Sequence, residues 1–478
     1  MNVSVLLYEA IKFIIPLLPI LIPLSAVVFL FVPSRKLLAL FLFFLGFQAL
    51  FIDVGVMVNI PRVLLFFSLL TLVLYFPKDL ATAMDEYPGR IMIIILIIFF
   101  SVSALLNIPS FPVKSIVTAY GPIGDSLFRD RATKQMSQIM MFALKASIPL
   151  VILAICRSRK QIVSMVKISL IGTSMLCIYG IYQYFAYLYN LPSIFIFRGA
   201  SNPTGGIGIF STSLGNFFRI SSLAGEPKDL AGILLPFSVL LGVITWRVIR
   251  EKKYRLGFKS LLLGIFLLHV FIFTMTFSTA GWLSAVVAVI GILGFSVNWK
   301  PKFKPIILVF GAFLGLFAVY ILVPSVNEVV KQRFISRLNL EYITNDVNYG
   351  GPQLLHMYKT HPETIIYGAS LGGAVFYEQY NEQPESFVYY LFDYGLLGIL
   401  FLCYFFYLIV KKVLYLSKQN NLENDILFNG LLYAMIGSMA STLVFPKIDA
   451  MLGLWVLIGL TSALVVYSRG DGKGLVRK

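Results

Sequence analysis

The sequence predicts an all-α, polytopic membrane protein with about 12–14 transmembrane helices and one large external loop near 324–386. Three observations carry this. The 478-residue chain is 58% hydrophobic and only 13% charged, a balance no soluble protein of this size keeps. Apolar runs of about 18 or more residues recur along its whole length, each long enough to cross a bilayer core as a helix. The basic residues cluster in the short connections between those runs. Residues 1–478 read as a single polytopic membrane domain, with a further external loop at 193–228.

The expected spans lie near 8–32, 37–53, 61–77, 91–107, 136–156, 163–189, 229–248, 258–277, 280–298, 304–323, 387–410, 425–445 and 449–467. The first contains Pro16, Pro19 and Pro23, so a kinked or broken helix is expected there. It is too long for a signal-peptide core and lacks a basic flank and a small-residue cleavage site. No solenoid repeat and no strand alternation of the outer-membrane barrel type occurs.

Orientation follows from the bases. Arg35 and Lys36, Lys78 and Arg90, Arg157 to Lys160, Arg247 to Lys259, Lys300 to Lys304, Lys411 to Lys418 and the tail from Arg469 all fall on one side when the spans alternate. That side is expected in the cytoplasm. The opposite side then holds loops 108–135, 193–228 and 324–386, which mix acid and base. The net charge of +17 is thereby a membrane signature, and no nucleic-acid partner is expected. Cys156, Cys177 and Cys403 lie in or beside apolar segments, with neither a disulfide framework nor metal-ligand spacing.

Lys145 falls near the middle of its span, where an isolated charge is costly. Either it faces a polar cavity or a partner, or the span boundary is displaced and it sits nearer an interface. Lys167 can snorkel toward the inner face. His269, inside an apolar span, reads as structural.

Three constellations could carry chemistry. In the first, Asn216 to Gly232, Glu226-Pro227 opens a helix, with proline in the first turn and acids near the positive end of the dipole. Arg219 and Lys228 beside its N-terminus would make an anion site; the plainer reading is a span entry with interfacial charges. In the second, the loop of about 60 residues at 324–386, long enough that function is expected of it, Arg333 and Arg337 share one face if helical. Arginine suits diphosphate because its planar fork binds two oxygens at once. A short helix containing His356 should stop at His361-Pro362, before a glycine-rich turn; a loop or packing role for either histidine is the plainer reading. In the third, Glu382 and Glu385 precede the span 387–410. Either carboxylate could take a proton from a sugar hydroxyl or could be a solvated charge at a helix start. No metal site and no cofactor is expected: there is no nucleotide-binding loop, dinucleotide fingerprint or His-Glu-x-x-His.

Arg219 ahead of Gly225-Glu226-Pro227-Lys228-Asp229-Leu230-Ala231, then a late loop of the form Arg…His361-Pro362 with Gly368 and Gly372, then an apolar helix around Gly395-Leu-Leu-Gly398, together resemble the O-antigen ligase and polymerase superfamily. The likeness covers roughly residues 195–415; the first 190 agree only in being polytopic. It implies a helical membrane glycosyltransferase acting on undecaprenyl-diphosphate-linked glycan as donor and acceptor. It would work on the external face of the bacterial cytoplasmic membrane, with the lipid bilayer and a chain-length regulator as further partners. Diphosphate-gripping arginines of the family map onto Arg219 and onto Arg333 or Arg337. Two departures matter. Where ligases carry a His-Asn pair, this chain reads Pro384-Glu385-Ser386; where relatives often read Ser-Arg-Gly, it reads Ser278-Thr279-Ala280-Gly281. The missing histidine favours a Wzy-type repeat-unit polymerase over a ligase onto lipid A-core. Glu226 or Glu385 would then be the base, with His356 a weaker candidate. A transporter or flippase of lipid-linked sugar is the rival from another class, and it should show inverted repeats and midplane polar sites on broken helices.

Overall fold

The computed structural model describes residues 29–48, 51–53, 57–107, 131–189, 209–212, 215–224, 227–299, 311, 315, 351–371, 387–442 and 452–468. Among them the order is α1 (Ser34–Phe44), β1 (Phe51–Asp53), β2 (Met57–Asn59), α2 (Ile60–Tyr75), α3 (Pro77–Glu86), α4 (Arg90–Asn107), α5 (Arg131–Ala146), α6 (Ile148–Ile155) and α7 (Arg159–Leu188). There follow β3 (Ile209–Thr212), β4 (Gly215–Phe218), α8 (Pro227–Arg250), α9 (Leu256–Met275), α10 (Thr279–Trp299), α11 (Gly351–Thr360), α12 (Thr364–Tyr367), α13 (Phe387–Gln419), α14 (Ile426–Ser441) and α15 (Leu452–Tyr467). Among the described residues the protein is helical, the strands forming two small antiparallel hairpins, β1–β2 and β3–β4. Five of the described helices are long and apolar enough to cross a membrane: Gln135–Ile155, Arg159–Leu188, Pro227–Arg250, Leu256–Met275 and Tyr390–Gln419. Shorter apolar helices cover Arg90–Leu106, Ala280–Phe295, Ile426–Ser441 and Leu452–Tyr467.

Several helix ends follow from local chemistry. Ser158 caps α7, accepting from the Gln161 N–H, while the Gln161 side chain reaches back to the Arg157 N–H at 2.8 Å; this satisfies two donors that no helical turn can. Asp425 caps α14 through the Phe428 N–H at 2.9 Å. Pro227 opens α8, as its fixed φ and missing N–H favour.

One expected span differs, and proline shapes two others. Segment 37–53 is not one helix: α1 ends at Phe44, a turn follows at Gly46, and the chain enters the β1–β2 hairpin. Segment 136–156 is the apolar span Gln135–Ile155, interrupted at the single residue Ser147, because Pro149 has no N–H for the Lys145 carbonyl and its ring crowds that oxygen. Segment 61–77 is α2 as expected, Ile60–Tyr75, and Pro77 then turns the chain by 110° into α3. Asp79, Asp85 and Glu86 keep this helix polar, so α3 is not a continuation of the span. The expected spans 8–32, apart from its last residues, and 304–323 lie outside the described residues.

α8, α14 and α15 form the centre. α14 and α15 are buried along almost their entire lengths, and α8 packs against α7, α9, α10 and α14. α4, α7, α9 and α13 turn apolar side chains outward, among them Leu105, Ile178, Leu261 and Leu400. Aromatic rings join the outer layer to the centre: Phe100 of α4 meets Tyr394 at 4.8 Å and Phe142 at 5.3 Å, and Trp455 of α15 meets Phe142 and Phe405.

Contacts between helix ends sort the connections. At one end Asp79 pairs with Arg157 at 2.7 Å, Arg159 with Asp425 at 2.6 Å, Tyr467 with Glu86 at 2.7 Å, and the Asn420 amide with the Val465 carbonyl at 2.6 Å. At the other end Ser103, Gln135, Gln183 and Thr276 meet the segments 367–369 and 219–222. The basic connections around 78, 157 and 418 thus share the first end.

The long α13 is broken at Gly395, whose φ of 60° and ψ of −177° no helix contains. Gly368 crosses it, backbone to backbone, with φ 67°. A Cβ at Gly395 would stand 2.6 Å from the Ile366 carbonyl oxygen, and one at Gly368 would stand 2.6 Å from that of Asp393. Gly395→Ala is expected to destabilise by roughly 2–4 kcal/mol, from the φ/ψ penalty plus the clash. Gly264→Ala, on α9 with nothing within 4 Å of the new methyl, should be neutral or stabilising by up to about 1 kcal/mol. Thermal unfolding of the detergent-purified variants checks this; an unshifted Gly395→Ala midpoint would remove the crossing as a constraint.

Candidate functional site

Two buried polar constellations occupy the end opposite the basic connections. The first is the strap 219–224. It leaves the β3–β4 hairpin, in which Ile209 pairs Phe218 and Thr212 pairs Gly215, and leads into α8. Gln183 of α7 holds it: its Oε1 accepts from the Ser221 N–H at 3.2 Å and the Ser222 N–H at 2.8 Å, and its Nε2 donates to Ser221 Oγ at 3.2 Å. The Ser222 hydroxyl donates to the Leu176 carbonyl at 2.8 Å. Ser222 has a positive φ of 51°, which these bonds hold in place.

Arg219 is only 9% exposed. Its Nε donates to the Thr276 carbonyl at 2.9 Å, and the Ile220 N–H reaches the Met275 carbonyl at 3.2 Å. Both acceptors sit at the C-terminal end of α9, where carbonyls lack helical donors and the dipole is negative. Arg219 therefore caps α9. Anchoring through Nε also fixes the guanidinium plane, and hence the direction of its terminal amino groups. The chain then turns within three residues: Thr276, Phe277 at φ 45°, and Ser278, whose Oγ accepts from the Gly281 N–H at 3.1 Å and starts α10. The sequence Ser278-Thr279-Ala280-Gly281 is thus a helix cap. Lys228 lies half-buried in the first turn of α8, beside Asp229.

The second constellation surrounds the Gly368–Gly395 crossing. The Ala369 N–H donates to the Phe392 carbonyl at 2.6 Å, and the Tyr358 hydroxyl donates to the Leu391 carbonyl at 3.2 Å. Burial pushes the Tyr358 phenol up to about 12, so it stays a donor at physiological pH. Ser103 of α4 donates to the Tyr367 carbonyl at 2.9 Å, Gln135 of α5 to the Ala369 carbonyl at 3.0 Å, and Ser370 to the Phe100 carbonyl at 2.8 Å. Asp393 is wholly buried two residues before the break.

Of the residues expected from sequence, the structure brings Arg219 and Lys228 to the strap, with the α8 start at Pro227 as expected. His356 is exposed on α11, the short helix that ends just before His361-Pro362. His361 Nδ1 lies 3.5 Å from Glu363 Oε1. Lys145 is 2% exposed at the centre of Gln135–Ile155; it sits inside the protein, and the displaced-boundary reading is set aside. His269 is structural, 2.9 Å from the Ile265 carbonyl and 3.1 Å from Thr173 Oγ1. Glu226, Glu385, Arg333, Arg337 and Glu382 lie outside the described residues. Sequence reasoning missed Gln183 and Asp393. A lone acid in the apolar run 387–410 was the available signal for Asp393, since such groups inside spans are costly and mark sites. Gln183 gave no signal, being one amide among many.

No protein-family model matches the chain, and no curated protein matches it.

Gln183→Leu should leave two strap N–H groups without their acceptor, at roughly 1–3 kcal/mol each. Amide exchange at 221 and 222 is expected to quicken by at least tenfold while the interior of α8 keeps its protection. Unchanged exchange there would mean the strap is held by something other than this amide.

Proposed function

We propose that this chain is a membrane glycosyltransferase that polymerises undecaprenyl-diphosphate-linked oligosaccharide repeat units, on the external face of the bacterial cytoplasmic membrane. The observation that carries the reading is Arg219: a nearly buried arginine with its guanidinium plane locked by the α9 terminus, at the end of the bundle away from the basic connections. A diphosphate leaving group needs cations fixed in advance in a low-dielectric site, where they act more strongly than in water. Lys228 adds a second cation at a helix start, a place that favours anions.

In the reaction, an acceptor sugar hydroxyl attacks the anomeric carbon of the donor glycan. The bond from that carbon to the diphosphate oxygen breaks, and undecaprenyl diphosphate leaves with the bonding pair. The hydroxyl proton passes to a carboxylate, Glu226 or Glu385, with His356 as a weaker acceptor. The leaving group is already activated, so the protein's work is positioning and charge stabilisation, with Arg333 or Arg337 contributing from the late loop. The reading assigns no metal and no cofactor. The break in α13 is an observation in favour of the transport reading, since carriers bind on discontinuous helices.

The test is conversion by purified protein of a lipid-linked repeat unit into a ladder of lengths. Transport without new glycosidic bonds would establish the flippase reading. Long chains on the carrier in a deletion strain, with nothing on the final acceptor, would establish the ligase. The polymerase reading expects single repeats on the final acceptor and no long chains. Arg219→Ala and Arg333→Ala should each lower the rate 30- to 1000-fold, from about 2–4 kcal/mol of lost transition-state stabilisation. Arg219→Lys should keep most of the thermal stability yet recover little activity, because lysine can cap a helix end but has no fork. Activity should also survive excess EDTA; restoration by one specific divalent ion after its loss would overturn the metal-free scheme.

A further inference from the structure

Between α8 and α9 the chain reads Arg247-Val-Ile-Arg250-Glu-Lys-Lys-Tyr-Arg255-Leu-Gly-Phe-Lys259, six bases with one acid. The bases are not equivalent. Lys259 Nζ donates to the Ile249 carbonyl at 2.8 Å and closes the end of α8. Lys253 pairs with Glu251 at 2.6 Å and lies 4.9 Å from the Tyr254 ring. Arg250 stacks over Trp246 at 4.3 Å. Arg250, Lys252 and Arg255 are all exposed, and among the described residues no carboxylate lies within ion-pair distance of them. Beside these cations stand apolar side chains that neighbouring helices leave uncovered: Leu256 at 79% exposed, Leu261 at 58%, Phe258 and Ile249.

We propose that this connection binds one anionic phospholipid, its phosphate held by Arg250, Lys252 and Arg255 and its acyl chains laid along Leu256, Leu261 and Ile249. The charge fits a net-negative headgroup, because Glu251 is spent on Lys253 and the exposed Arg250, Lys252 and Arg255 keep their charge. The apolar border fits a lipid over a nucleic acid or a free polyphosphate, neither of which covers Leu256. Trp246 and Tyr254 lie against the cluster's Arg250 and Lys253, and amphipathic rings favour the headgroup level. Basic clusters just outside a membrane helix recognise anionic lipid through such a juxtaposition. The site lies at the opposite end of α8 and α9 from Arg219 and does not depend on the reaction proposed above.

The experiment is a thermal-shift titration of the full chain in non-ionic detergent with phosphatidylglycerol, phosphatidylcholine or inorganic pyrophosphate. Phosphatidylglycerol is expected to raise the unfolding midpoint and phosphatidylcholine at equal concentration is not. At 1 M salt, where the Debye length falls to about 3 Å, the effect should vanish. The variant carrying Arg250→Gln, Lys252→Gln and Arg255→Gln should bind phosphatidylglycerol on the order of a hundredfold more weakly, roughly fivefold per cation. Equal shifts with phosphatidylcholine would overturn the proposal, as would an equal shift with pyrophosphate, which would make the site a free-phosphate reader. Undiminished binding by the triple variant would do the same. If that variant does not fold, the salt and headgroup comparisons on the unaltered protein decide the matter.

Discussion

An apolar bundle has no water to satisfy a broken helix, and the opening of α13 at Gly395 makes that constraint govern the whole described end. A turn before the break, the Phe392 carbonyl cannot keep its helical donor, the Leu396 N–H, once Gly395 leaves helical φ/ψ. Each unpaired carbonyl inside the bundle would cost several kcal/mol. Ala369 supplies an N–H to the Phe392 carbonyl, and the Tyr358 hydroxyl donates to the neighbouring Leu391 carbonyl. The segment that delivers Ala369 is itself non-helical, so its own carbonyls need donors, and Ser103 and Gln135 provide them. One break thus recruits α4, α5, α11 and α12. Glycine at both 368 and 395 lets the two backbones approach closely enough for the exchange.

The strap 219–224 obeys the same rule with different parts. Its Ser221 and Ser222 N–H groups lie at the start of a single 3-10 turn, before any helical acceptor, so Gln183 accepts from both. The C-terminal carbonyls of α9 lack donors, so Arg219 and the Ile220 N–H reach them. Arg219 is consequently a structural cap as well as the proposed phosphate ligand. Capping engages Nε and sets the plane, while phosphate recognition depends on where that plane points the terminal amino groups. A charge held by its own fold pays no reorganisation when negative charge develops.

What the sequence made legible was periodic or punctuated. Pro227 marked a helix start and His361-Pro362 a helix stop, because proline acts through its own ring and missing N–H. The helical class followed from the long apolar runs, and the placing of bases in short connections anticipated which helix ends meet. The segment 37–53 misled because hydropathy alone does not distinguish an 11-residue helix plus a hairpin from a continuous span. The turn into α3 was missed because Pro77 reads equally as a helix stop or a helix start. The Gly368–Gly395 crossing and the grip of Gln183 were invisible for another reason. Each joins residues far apart in the chain through backbone geometry, which no local pattern encodes.

The two ends of the bundle are held by different physics, and this bears on where chemistry can sit. The basic end carries ion pairs, Asp79–Arg157 and Arg159–Asp425, whose partners are partly open to solvent. Exposed pairs of this kind contribute about 0–1 kcal/mol each, so they register the connections more than they hold them; the apolar faces of α6, α14 and α15 do the holding. At the other end the described links among buried groups are mostly uncharged hydrogen bonds: Gln183 to the strap, Ser103 and Gln135 to the crossing, Ser370 to Phe100. Buried bonds are scarcely screened by salt and costly to break. Among the described residues that end therefore has the more rigid polar framework. Such a framework keeps the Arg219 guanidinium oriented, as the proposed reaction would need.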